Sequence, residues 1–179
     1  MIITKIFCDI DDFIKELSAN KKVIESDKKR RKSKLNISEV MTILVAFHNY
    51  GNRTFKDFYI KTVMKYMRKE FPDLVSYNRF IELIPDALKP LVLFLKLKRF
   101  GKSEKITFID STKIAICGNK RIKRNKTFKG IAKLGKSTMG WFFGFKLHIA
   151  INETGELVGA NLSQGNVDDR NIDIIDRYY

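Results

Sequence analysis

TFIDSTKIAICGNKRIKRN, residues 107–125, joins two unlike kinds of sequence. Its first half is rich in β-formers and carries a single carboxylate, Asp110, at the end of a β-like run. Its second half is basic. From Ser111 through Asn152 there are ten Lys or Arg and no Asp or Glu. A lone acid set against that much positive charge is the feature from which the rest of the chain is read.

The surrounding composition points the same way. The 179 residues carry a formal net charge of +15, and 44% are apolar. Such a field favours polyanions, with nucleic acid first and an anionic membrane surface second. The apolar fraction, with 14 Phe, is enough for a core. Cys8 and Cys117 are far apart, and His48 and His148 are the only histidines, so zinc and disulfide frameworks are not expected. MIITKIFCDIDDF lacks the basic start of a signal peptide, and Leu91–Leu95 is too short to span a bilayer. The chain is therefore expected to be soluble and cytoplasmic, with no membrane contact.

Before Gly101 the apolar spacing is helical. Ile3, Phe7, Ile10, Ile14 and Leu17 recur at three and four residues. KKRRKSK, residues 28–34, reads as an exposed basic linker. Asn36 and Glu39 form a capping-box pattern ahead of Val40, Ile43, Leu44 and Phe47. Thr54 caps a further helix carrying Phe55, Phe58, Tyr59, Val63 and Met67. Ser76 and Pro85 bracket a short helix, and Pro90 opens another that ends near Gly101.

After Gly101 the period shortens. Residues 105–116, 141–152 and 155–166 read as three strands in a meander, the last two joined by a hairpin at Asn152–Gly155. Asp168 or Asp169 then caps a helix starting at Arg170. The expected fold class is α+β: an all-α region over residues 1–100, then a sheet and a helix over 101–179.

GIAKLGKS, residues 130–137, matches the phosphate-binding loop pattern G-x-x-x-x-G-K-[ST] letter for letter. Its context does not suit it. No apolar strand precedes, and the residues that follow are β-like rather than helical. A nucleotide binder is kept as a third-ranked function.

Asp110 has two readings. In one, its side chain bonds nearby backbone N–H groups where the strand stops. In the other it is a metal-binding carboxylate, as in two-metal phosphoryl-transfer sites. The second reading needs more acids. Asp168 and Asp169 read as helix caps or as a second ligand, while Asp9, Asp11 and Asp12 read as solvated. Lys120, Arg121, Lys123, Arg124, Lys126, Lys129, Lys133 and Lys136 form a cationic loop beside Asp110 suited to DNA phosphates. Trp141, Phe142 and Phe143 are placed in the core, with base stacking as the other reading.

These residues carry a resemblance. IDSTKIAICGNKRI, FKGIAKLGKSTMGWFFGFKLH and SQGNVDDR resemble insertion-sequence transposases of the DDE class, specifically the group numbered nine-eight-two. FHNYGNRTFKDFYIKTVMKYMRKEFPDLVSYNRFIELIP resembles the helical region of the same group. The resemblance implies a partial RNase H-like catalytic domain over 101–179 and a DNA-binding helical region over 1–100. It implies Mg2+, held in part by Asp110, for attack of water and then a DNA 3′-OH on phosphodiesters.

In that fold the first acid stands on strand one, the second just after strand four, and a Glu follows on a later helix. Asp110 takes the first place, and the other two are expected beyond Tyr179. Asp169 is then a helix-start residue, with catalytic ligand as its other reading. The expectation is a truncated, catalytically incomplete transposase, the first piece of an interrupted or frameshifted frame. A stand-alone DNA-binding or regulatory fragment is the alternative. The implied partners are the element's terminal duplex DNA and either a second copy or a missing C-terminal part, on a bacterial nucleoid.

Overall fold

The computed structural model describes residues 2–19, 33–102 and 106–168. It divides into two compact units, Met1–Leu97 and Lys98–Tyr179. The fold class is α+β, with helices first and an antiparallel sheet after them.

The first helix spans Ile2–Ala19 and buries Ile10 and Phe13. The second, Ile37–Ala46, opens on the expected capping box: Asn36 Oδ1 accepts from the Glu39 N–H at 2.8 Å, and Glu39 Oε2 accepts from the Asn36 N–H at 2.8 Å. Thr54 caps the third, whose α-helical ends, Phe55–Asp57 and Met64–Tyr66, flank a π-helical stretch, Phe58–Val63. Phe58, Tyr59 and Val63 are fully buried there.

The two helices expected around Pro85 and Pro90 are one. The fourth helix runs from Tyr77 to Phe94 through both prolines and continues as a π-helical stretch over Leu95–Arg99. An interior proline costs roughly 3 kcal/mol or more. Burial outweighs that cost here, because Phe80, Ala87, Pro90 and Phe94 all lie on the packed side. Phe80, Ala87 and Phe94 join Met41, Ile43, Phe58 and Tyr59 in one core. Phe80 lies 4.6 Å from Tyr59, ring to ring.

Tyr59 ties this core to the chain that follows it. Its hydroxyl donates to the Val75 carbonyl at 2.7 Å, and burial pushes its pKa up to about 12. The unfolded phenol ionises near its ordinary value of about 10. The stability it contributes is therefore complete below about pH 10 and is lost as pH rises through about 12. Tyr59→Phe is expected to cost about 1 kcal/mol at neutral pH by losing the hydrogen bond. It should also flatten the loss of stability between about pH 10 and 12. Urea unfolding at neutral and alkaline pH checks both. An unchanged alkaline loss in the variant would place its cause elsewhere.

The second unit holds four strands: β1 Thr107–Cys117, β2 Lys133–Ser137, β3 Gly140–Asn152 and β4 Leu157–Gln164. All pair antiparallel with β3. β1 runs along one edge of it. On the other edge, β2 pairs with residues 140–144 and β4 with residues 145–151. The β3–β4 hairpin turns at the expected place, with Gly155 at φ 82°.

The expected three-stranded meander lacked β2, which lies inside the residues matching the phosphate-loop pattern. Lys133–Ser137 is extended and turns through Thr138 and Met139 directly into β3. A strand leading into a tight hairpin presents no helix N-terminus to a phosphate. The helix expected from Arg170, and most of the basic linker at 28–34, lie outside the described residues.

β2 and β4 meet end to end at glycines. The Gly165 N–H donates to the Gly144 carbonyl at 3.0 Å. A Cβ on Gly135 would lie 1.9 Å from the Gly165 carbonyl oxygen. Only backbone fits at that junction.

Candidate nucleic-acid interface

Asp110 is the fourth residue of the eleven in β1, so the strand does not end there as expected. It continues to Cys117 because β3 supplies pairing partners from Ile149 to Phe143. Asp110 Oδ1 accepts the Ser111 N–H at 2.8 Å, which is the local backbone bond that one reading required.

Directly opposed residues in an antiparallel pair share a face. Asp110 opposes Ile149, which opposes Ala160 on β4. Its face therefore carries Phe108, Ile114, Ile149, Ile151 and Leu162, all exposed. Asp110 is the only acid on any of the four strands. The opposite face is covered: Ala150 and His148 are fully buried, and His148 Nε2 lies 2.7 Å from Ser163 Oγ.

The chain leading to Asp168 runs on the side of the sheet opposite Asp110. Val167, just before Asp168, packs against Ala150 on the covered face, and its carbonyl accepts from Lys146 Nζ at 2.9 Å. Asp169 lies outside the described residues.

The cationic segment is not a simple loop. Lys120, Arg121, Lys123 and Arg124 sit on a 3-10 helix, Asn119–Arg124. Lys126 and Lys129 follow in turns, and Lys133 and Lys136 stand on β2. All eight are exposed. Two interactions hold the segment against the sheet. Asn119 Nδ2 donates to the Trp141 carbonyl at 3.1 Å. The Phe128 ring meets Phe145 edge-on at 5.9 Å between centroids. Phe145 lies on the Asp110 face, so the segment crosses that side of the sheet at Phe128. On β2, Lys136 shares this face through Trp141, while Lys133, opposite Gly144, takes the other.

The three aromatics at 141–143 separate. Phe142 is 3% exposed and belongs to the core as expected. Trp141 is 59% exposed and points to the Asp110 face, which strand alternation demands once Phe142 faces inward. The short strand β2 left one sequence signal, a Gly-containing connection, Ser137–Gly140, between two extended runs.

Residues 100–176 match the family model described as the transposase DDE domain. The match supports a DDE transposase. The matched DDE segment contains all four strands, Asp110 and the eight cations, and the helical unit precedes it. No curated protein and no solved structure matches the chain.

The transposase DDE family generally uses a divalent metal. A metal pair is clamped by several oxygen ligands from converging carboxylates. Among the described residues, no group of three or more His, Cys, Asp or Glu could hold a metal ion. Asp110 offers one carboxylate, with one oxygen already accepting from Ser111. That donor set does not fit a metal pair.

Proposed function

We propose that the chain acts in DNA transposition as a DNA-binding transposase segment of the insertion-sequence type, group nine-eight-two. In this reading Asp110 is the first acid of a catalytic set, and the eight cations grip the phosphates of the element's terminal DNA. The helical unit is a second region of contact with that DNA. The observation that carries the reading is the packing of the cationic segment, through Phe128 and Phe145, over the face that bears Asp110. Phosphate contacts of this kind position a duplex without reading its sequence. With one acid on the sheet, the chain is expected to bind DNA without cutting it.

Fluorescence anisotropy of a labelled duplex, titrated in magnesium buffer at several salt concentrations, tests this. Each neutralised phosphate contributes a slope of about −0.9 in log K against log salt. If about four or more phosphates are neutralised, the slope should be about −4 or steeper, with the duplex recovered intact. Absence of saturable binding at low salt would overturn the DNA reading. Nicked duplex would overturn the expectation that this chain binds without cutting.

A further inference from the structure

We infer that Trp141 is a stacking platform for an unpaired base, placed at the end of the face that carries Asp110. This rests on the DNA reading above and names the kind of DNA the hairpin recognises. Trp141 stands at the start of β3, opposite Lys136 on β2. It is exposed where its neighbour Phe142 is buried, so its ring contributes little to the core. The Lys136 ammonium lies over the ring, 5.9 Å from its centroid.

The surroundings suit a nucleotide. Asn119 fixes the basic 3-10 turn to the backbone of Trp141 itself, so phosphate-binding cations stand beside an open aromatic ring. Met139, 82% exposed, caps the tip of the same hairpin. Exposed aromatics beside cations form the usual platform for single-stranded nucleic acid, because every base offers a π-face to stack and every nucleotide a phosphate to neutralise. A paired base inside a duplex has no free face to offer. The preference is therefore for frayed ends, bulges or single strands. Trp141 and Asp110 are separated by eight residues of β3 register, about 27 Å along one face. A duplex rising 3.4 Å per base pair covers that span in about eight base pairs.

Trp141 is the only tryptophan in the chain, so its own emission reports the stacking. The full chain is titrated with oligothymidylate and with a blunt duplex of equal length. Oligothymidylate is expected to quench Trp141 emission. Measured by anisotropy of labelled DNA, Trp141→Ala should weaken oligothymidylate binding about tenfold or more and leave blunt-duplex affinity and its salt slope unchanged, while Trp141→Phe should keep oligothymidylate binding near native. Oligothymidylate bound with unquenched emission, or with equal affinity for native and Trp141→Ala chains, would overturn the stacking role and leave phosphate binding standing. No binding of either DNA would remove the DNA reading and this inference with it.

Discussion

Gly144→Val is expected to unfold the strand unit. A Cβ at Gly144 would lie 2.0 Å from the Ile114 carbonyl oxygen and 3.2 Å from the Ala115 Cα. Both obstacles are backbone, so no side-chain rotation relieves them. The position is also held from the other edge, where the Gly144 carbonyl accepts the Gly165 N–H. The β1–β3 register already shifts beside it, between Ala115 and Cys117. Seating a side chain means parting β1 from β3.

Overpacking of this kind costs about 3 kcal/mol, more where the backbone cannot yield. Small domains have only about 5–15 kcal/mol to lose. Urea unfolding followed through Trp141 emission reports the unit that contains the substitution. Gly118→Val is the control, since nothing lies within 4 Å of a Cβ there and its φ of −63° suits any residue. Equal midpoints for the two variants would show that β1 does not lie on β3 as described.

Replacing Lys120, Arg121, Lys123 and Arg124 together by Ala is expected to lower duplex affinity about a hundredfold near 0.1 M salt. The slope of log K against log salt should become shallower by about 3 to 4, close to one for each phosphate no longer neutralised. The four side chains are exposed on one short 3-10 helix, and none is buried in that element. Circular dichroism should therefore match the native chain. Anisotropy across a salt series measures both quantities. A native slope in the variant would move the DNA-binding surface away from this segment.

The helical unit was legible where its signals are local. Asn36 with Glu39, Thr54 and Ser76 cap helices at the positions read from sequence, since a cap needs only residues three apart. Pro85 and Pro90 misled because their cost is local while the compensating burial of Phe80 and Phe94 is tertiary. β2 was invisible for a related reason. Lys-Leu-Gly-Lys-Ser has weak strand propensity, and its conformation comes from pairing with Trp141–Gly144.

At the site, the lone acid and the cations could be counted from the sequence. That the segment carrying the cations packs against the face bearing Asp110 could not, because it depends on the register of β1 against β3 and on the contact of Phe128 with Phe145. The same register turns Trp141 outward and Phe142 inward, which a run of adjacent aromatics does not announce.

The pairing pattern also sets an order on how the acid reaches its place. β2 and β4 each join β3 through a short turn, so those pairings close quickly and at low entropic cost. β1 pairs with no described strand except β3, and residues 118–142 intervene between Cys117 and its partner Phe143. That longer closure is rewarded only when β3 already stands in its hairpins. Loop-closure cost therefore predicts that the strand bearing the carboxylate docks last, with Asp110 reaching its position once the rest of the sheet is built.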